Sequence, residues 1–528
     1  MSIVSQTEDN VDRQKEVLMS KKDKKECDVS GISRRRFITG TGVAVAGALA
    51  AGALLPGKVE AVPPPKKWDR TTDVLIVGTG YAGLAAAIEA HDAGCKVAII
   101  EKAAVIGGNS AIASGIYNCA EPDVQAKYGI KDSPEQHYQQ TLAAGDFRGD
   151  PEKVKYMTYH ALEGRKWLEK QGVKFDEKPY TAVGALWARS FDPVNKGRGG
   201  AIIRTLKAQV DARKIPVMMN VKLKALVRQR PLEGDIMGAV VTEKGKDVYF
   251  KAQKAVILAT GGFAADVAMR SKHDPRLTAE VPTTNVPTAT GEAIVIAENE
   301  GADVHGMDYI QMLIACNYYT KKYGSLTNLG VDHALFVNLD GKRFVAEDQR
   351  RDVMAEAVLK QKNKVLLWVA DEQCAKRFNP KMTEEIIKDG LAFRANTIEE
   401  LAKILNAKLQ VPEKTFLESV AKYNESVKKG KDDEFGKKPD NLKPVSVGPF
   451  YASPTQAGVH HTMGGVQTRG TTCQVIDREN KVISRLYAAG EVTGGVHGTN
   501  RVGGNATVDC IVFGRNAGIN AAKEKSWG

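Results

Sequence analysis

The chain has 528 residues, 43% of them hydrophobic, 26% charged and 6% aromatic, with a formal net charge of +12. That length holds two or three domains at roughly 150 residues each, and that composition excludes a disordered chain or a many-span membrane protein. Seven scattered cysteines without a CxxC pair exclude a disulfide scaffold, a Cys-rich zinc module and a covalently attached c-type haem.

Residues 1–37 are polar and basic and end in Ser33-Arg34-Arg35-Arg36-Phe37-Ile38. An apolar Gly/Ala-rich stretch runs from Ile38 to Leu55, and Val59-Glu60-Ala61 offers small residues where a signal peptidase reads. This order describes a secretory signal over 1–61, cut near Ala61, rather than a membrane span. The arginine pair before Phe-Ile resembles a twin-arginine signal, which exports folded proteins and suits one that acquires a cofactor in the cytoplasm. The alternative is a retained anchor, but the stretch is short and leucine-poor for a span. The expectation is a periplasmic protein with no permanent membrane anchor and no nucleic-acid partner. Its positive balance reads as a solvated surface, with docking of an acidic redox partner as the alternative.

Asp73-Val74-Leu75-Ile76-Val77 is an apolar, β-branched run that reads as a buried parallel strand. It enters Gly78-Thr79-Gly80-Tyr81-Ala82-Gly83 and then an alanine-rich helix. Gly78 permits the tight turn, Gly80 lets the backbone approach a pyrophosphate, and Gly83 lets the helix pack on the strand. The helix N-terminus, with Ala82 in its first turn, faces the phosphates. A second strand, Lys96–Ile100, ends in Glu101, placed to accept ribose hydroxyls, with Lys102 beside it. The motif specifies a dinucleotide without choosing between FAD and NAD.

Later segments choose flavin. Gly107-Gly108-Asn109-Ser110 follows the acidic strand, with Gly115 beyond, and puts small and amide side chains along a cofactor's path. Residues 254–262 form another buried strand ending in Ala259-Thr260-Gly261-Gly262, and Glu292 is a further candidate contact. Leu486–Gly490 repeats the strand-to-glycine pattern and ends in Glu491. The final helix begins near Asn505-Ala506, its N-terminus free to face a polar ring edge. Dinucleotide-type contacts this far apart in sequence suit an extended flavin cofactor.

Together these segments resemble the fumarate reductase/succinate dehydrogenase flavoprotein family, and most closely its soluble periplasmic branch, the flavin part of flavocytochrome c fumarate reductases. The resemblance covers nearly all of 68–525. It is most specific at Val459-His460-His461-Thr462-Met463-Gly464-Gly465, at Gly490–Gly498, at Asn500-Arg501, and at Val337–Phe344 followed by Glu347 and Arg351. It implies an α/β fold: a Rossmann-like FAD-binding domain in two segments, 62–304 and 441–528, with an α+β capping domain, 305–440, inserted between them. Apolar residues at helical spacing over 390–430 agree with such an insertion. Relatives of this branch carry haems in an N-terminal domain where this chain has its export signal, so a separate multihaem cytochrome c is the expected electron donor. Membrane-bound relatives attach flavin through a histidine after the GG turn. Segment 107–120 has none, which implies noncovalent FAD.

The resemblance also implies the chemistry, in which reduced flavin N5 delivers hydride to the β-carbon of an alkene carboxylate and a side chain protonates the α-carbon. His460 and Arg501 match the carboxylate clamp, His461 the residue beside the flavin, and Arg351 the proton-donating arginine. A guanidinium is a poor acid, so a purely electrostatic Arg351 is the alternative. Arg343 and Arg350 read as surface or structural partners. Two features depart from the fumarate pattern. Ile310-Gln311 is followed by Met312-Leu313-Ile314-Ala315 in place of a histidine, and Leu326-Thr327-Asn328-Leu329-Gly330 stands where a Thr-Glu-x-x-Arg relay belongs. Leu313, Leu326 and Thr327 are therefore the expected substrate contacts. The substrate is expected to be a monocarboxylate 2-enoate, as in the acrylate/methacrylate, cinnamate or urocanate reductases of this branch. Tyr318, Tyr319 and Tyr323 either line that pocket or form an exposed cap loop. The alternatives are fumarate reduction in a rebuilt pocket, a flavin dehydrogenase or oxidase running in the opposite direction, and a non-catalytic flavin electron carrier. The six cysteines beyond the signal read as small buried hydrophobes.

Overall fold

The computed structural model describes residues 62–527 apart from 183, 195–197, 325, 327–332 and 377–379. The expected export signal and Thr327 lie outside the described residues. The described residues form one compact unit. No helix among the described residues is long and apolar enough to cross a membrane.

The chain opens with β1 (Arg70–Val77), α1 (Tyr81–Asp92), β2 (Val97–Glu101) and β3 (Val217–Met219). A meander follows, β4 (Val221–Arg230), β5 (Glu233–Glu243) and β6 (Lys246–Leu258). Next come β7 (Ile310–Asn317), β8 (Ala334–Val337), α2 (Arg351–Leu359), β9 (Val365–Ala370) and β10 (Phe393–Ala395). The stretch expected to be helical holds α3 (Ile398–Leu409) and α4 (Glu413–Lys429). The chain closes with β11 (Phe450–Thr462), β12 (Gln474–Ile476), β13 (Val482–Ala488) and α5 (Asn505–Lys523).

The first sheet runs β12-β13-β6-β1-β2-β3, with the β4–β5 hairpin attached to β6. β1 pairs in parallel with β2 and β6, and β13 in parallel with β6. Buried on both faces, these strands need no polar alternation, which is why Val74, Leu75 and Ile76 are fully buried in succession. Small residues let α1 and α5 lie close: a Cβ added to Gly514 or Gly518 would collide with the backbone of Ala82 or Ala86. The second sheet is antiparallel, β7-β11-β9-β8, with β10 on β11. Its β11 comes from the stretch after 441, so strand pairing crosses the boundary expected at 440/441. β11 stays paired with β7 as far as Thr462 and carries His460, His461 and Thr462 to the end of β6, where Thr462 Oγ1 accepts from Phe263 N (3.3 Å).

Candidate active site

A cavity opens at the carboxyl ends of β1, β2, β6 and β13, where ligands bind in open α/β sheets. Gly78 sits at φ +110°, and a Cβ there would strike the Ala259 backbone. A Cβ at Gly83 would strike the Gly78 carbonyl, so both glycines hold the turn, as expected. At Gly80 the nearest atom to an added Cβ is Ser110 Oγ at 3.2 Å, and at Gly108 and Gly261 nothing lies within 4 Å. Bare backbone therefore faces the cavity. The hydroxyl of Thr260, a residue of the same wall, is buried without a protein partner. An orphaned donor beside open backbone fits a dinucleotide that supplies the missing acceptor.

Glu101 accepts from Thr79 N (3.1 Å), Thr79 Oγ1 (2.6 Å) and Ala103 N (2.9 Å). Of about four lone-pair sites on a carboxylate, one is left for a ribose hydroxyl. Lys102 Nζ reaches Glu292 Oε2 and Thr290 Oγ1, each at 2.6 Å, and Lys222 reaches Glu292 at 3.0 Å. Burial opposes the Glu292 charge, but hydrogen bonds from Lys102 and Thr290 outweigh it and hold the carboxyl at about 2. Asn109 accepts from Val286 N (2.9 Å) and donates to Asn285, while Ser110 Oγ accepts from Tyr81 N (3.2 Å). One of the helix amides expected to meet phosphate is therefore already engaged.

Five expected cofactor contacts do not line this cavity: Gly83, which packs on the Gly78 turn, His461, Gly115, Asn505 and Ala506. Gly115 (φ +76°) packs against the Gly199 backbone. The Asn505 side chain turns inward, accepting from Asn118 Nδ2 (2.8 Å), meeting His137 Nε2 at 3.0 Å and donating to Thr141 (3.0 Å). Ala506 follows it into the helix. Cys510 does line the cavity, against the reading of all six cysteines as buried hydrophobes; the other five are buried.

Beyond the cavity lies a cationic cluster. In the β7–β11 ladder Gln311 faces His461 and Met312 faces Val459, so His460 is the extra residue of a β-bulge. A bulge re-aims one side chain without ending the strand. The segment at 284–285 supports it: Thr284 Oγ1 lies 2.7 Å from His460 Nδ1, and Asn285 Nδ2 donates to His460 O (3.0 Å). Gln311 Nε2 donates to Asn500 Oδ1 and to Arg501 O, each at 2.9 Å, and fixes the loop carrying Arg501. Sequence reasoning missed Thr284, Asn285 and Gln311 as supports, because only the folded register brings them to this place.

The charges of this cluster act on one another. Burial, then the charge of Arg501, pull Arg351 down to about 9, against a smaller upward effect of the Tyr323 phenol. Burial pulls Arg501 down to about 10, opposed chiefly by Glu491. Burial, then Arg501 and Arg351, hold His460 well below its usual value, so its imidazole is neutral. His461 is buried, depressed by burial and by Arg501, and meets His497 edge-on at 5.3 Å. Glu491 accepts from Thr462 N (3.0 Å) and Oγ1 (3.2 Å), and burial raises its carboxyl to about 7.

On the cap side Leu313 is half-buried opposite Gly458. Leu326 packs with Met312, Ile314 and Trp368 in the cap core, so the structure uses it as a core residue and not as the expected substrate contact. Tyr318 packs on the second cap core with Lys321 over its ring at 4.4 Å, while Tyr319 and Tyr323 are exposed.

Fold and site together define a flavoprotein whose cofactor groove abuts a buried cluster of arginines and histidines. Residues 73–507 match the FAD binding domain family. The chain belongs to that family, in its fumarate reductase-like branch; FAD is its cofactor, and it is a flavin-dependent oxidoreductase. It is 37% identical over 460 residues to a fumarate reductase (cytochrome) of Shewanella frigidimarina, covering 86% of this chain and 77% of that one. It is 33% identical over 507 residues to the acrylate reductase flavoprotein subunit of Shewanella woodyi, covering 92% of this chain and 97% of that one. Among solved structures it resembles an open flavocytochrome c3 fumarate reductase, with a TM-score of 0.74, 33% identity, and coverage of 86% of this chain and 79% of that one.

Proposed function

We propose that the protein reduces the carbon–carbon double bond of a 2-enoate carrying one carboxylate, of the acrylate/methacrylate, cinnamate or urocanate type. The observation that carries this reading is the bulge that turns His460 toward Arg501 and Arg351, with the Arg501 charge weighing on both His460 and Arg351. Bound FAD supplies the hydride. Arg501 and His460 hold the substrate carboxylate, where negative charge grows as the alkene is reduced, and preorganised donors there lower the barrier. Arg351 gives a proton to the α-carbon. A guanidinium in water is too weak an acid for that, but one brought to about 9 is a usable donor near neutral pH.

The preference for one carboxylate rests on what replaces a second clamp. Met312 is buried, Leu313 half-buried and apolar, and Leu326 lies in the core behind them. An unpaired carboxylate there costs several kcal/mol, on the order of an uncompensated buried charge. The cavity wall offers no histidine for covalent attachment, which supports noncovalent FAD. The domain division at 304/305 and 440/441, export to the periplasm and electrons from a multihaem cytochrome c in anaerobic respiration complete the proposal.

The test is single-turnover oxidation of the reduced holoenzyme by methacrylate, cinnamate, urocanate and fumarate. Methacrylate, cinnamate or urocanate outpacing fumarate supports the reading. Fumarate faster by orders of magnitude replaces it with fumarate reduction in a rebuilt pocket, and no oxidation by any of the four supports an electron carrier.

A further inference from the structure

The two active-site arginines stand on different parts of the chain. Arg351 opens α2 of the cap, and Arg501 sits on the loop before α5. One exposed carboxylate touches the immediate neighbours of both. Asp146 accepts from Arg350 Nη1 (2.8 Å) and Nη2 (3.1 Å), and also from the Thr499 hydroxyl. Arg350 is the N-cap of α2, its carbonyl accepting from Met354 N at 3.0 Å, so its position sets that of Arg351. Thr499 lies two residues before Arg501.

The turn carrying Asp146 is built against that loop. Thr499 N donates to Gly145 O (3.2 Å) and Asn500 Nδ2 to Ala144 O (3.3 Å). A Cβ on Gly145 would collide with the His497 carbonyl. Asp146 and Phe147 both adopt left-handed backbone, φ +54° and +56°, a rare state for an aromatic residue. Bonds from Phe147 N to Leu142 O (2.8 Å) and from Arg148 N to Gly145 O (3.0 Å) hold it there. Strain of this kind persists only where the surroundings over-determine it.

We infer that Asp146 is a positioning residue that sets the separation of Arg351 and Arg501 by tying the first turn of α2 to the 499–501 loop. The inference rests on the reading that these two arginines grip and protonate one substrate. The side chains of Arg350 and Asp146 are 39% and 49% exposed, so the pair adds little to stability and is screened by salt. Its effect is on geometry, where a displacement of about 1 Å can cost up to roughly a hundredfold in rate.

The test compares wild type, Asp146→Asn, Arg350→Gln, Arg350→Lys and the Asp146→Asn/Arg350→Gln double variant as holoenzymes. Asparagine keeps the left-handed turn and removes only the charge. With methacrylate and a reduced viologen dye, each neutral variant is expected to lose roughly ten- to a hundredfold in kcat/KM at unchanged flavin content. The loss in the double variant should be well below the product of the two single losses, since both remove the Asp146–Arg350 contact, although Arg350 also pairs with Asp352 (2.9 Å). Arg350→Lys should recover part of the loss, and high salt should slow wild type but not Asp146→Asn. Hydrogen exchange at the start of α2 and at 499–501 should quicken in Asp146→Asn without any substrate. Unchanged kcat/KM with unchanged exchange, or losses that add in the double variant, would overturn the inference. Should wild type reduce no enoate, the functional reading fails, and the exchange comparison alone still decides the role of Asp146.

Discussion

Two arginine sites in the cap are separated by only eight residues in sequence and behave in opposite ways. Arg343 is buried and doubly held, by Glu347 (2.9 Å at each of two bonds) and by Asp432 (3.0 and 2.8 Å). Burial opposes its charge, but those carboxylates outweigh it and raise the guanidinium above its usual value. Arg351 lies beside Arg501, and its charge is disfavoured. The first site is closed by two carboxylates and serves the fold; at the second, burial and a neighbouring guanidinium weigh against the charge. Two buried arginines of one domain thus differ in what acts on their charge, paired carboxylates at Arg343 and burial with a second guanidinium at Arg351.

The sharpest way to break that contrast is to remove each guanidinium in turn. Arg351→Ala should lower turnover by roughly 10²- to 10⁴-fold, the usual share of a positioned acid, with the flavin still bound in its absorbance spectrum. Arg501→Ala should fall in the same range. Wild-type turnover without either arginine would end the assignment. Arg343→Met should do the reverse, lowering urea stability by about 3–5 kcal/mol because Glu347 and Asp432 lose their shared cation. Turnover per bound flavin in the molecules that remain folded should stay near wild type. A milder test uses pH. The grip works protonated, so kcat/KM should be level through neutrality and fall as pH rises through about 9, where Arg351 loses its proton, and further near 10 with Arg501. Arg343→Met should leave that profile in place.

Much of the cofactor half was legible in the sequence because it is local. A β-branched run, glycines at fixed spacing and an acid at the next strand end need only neighbouring residues, and the structure places Gly78, Gly80 and Glu101 accordingly. Asn505 looked equally local, at a helix start, yet its amide is spent on Asn118, His137 and Thr141 from a distant helix and strand. Leu326 misled for a similar reason, since an apolar residue near a site and one in a core are the same letter. The identities of His460, Arg351 and Arg501 came through resemblance. Their supports at Thr284, Asn285, Gln311 and Asp146 carry no motif, and each acts across a long stretch of chain.

The sequence by itself determined which segments become the parallel core and where the backbone lies bare enough to receive a dinucleotide. Those properties follow from side-chain size, branching and the missing Cβ of glycine, all fixed within a few residues. Only the tertiary structure decided that a bulge in a cap strand turns His460 toward two arginines from separate elements, where the charge of Arg501 weighs on both Arg351 and His460. Such an arrangement depends on strand register and helix docking across hundreds of residues, and its energy is Coulombic, so it does not exist until the chain has closed around it.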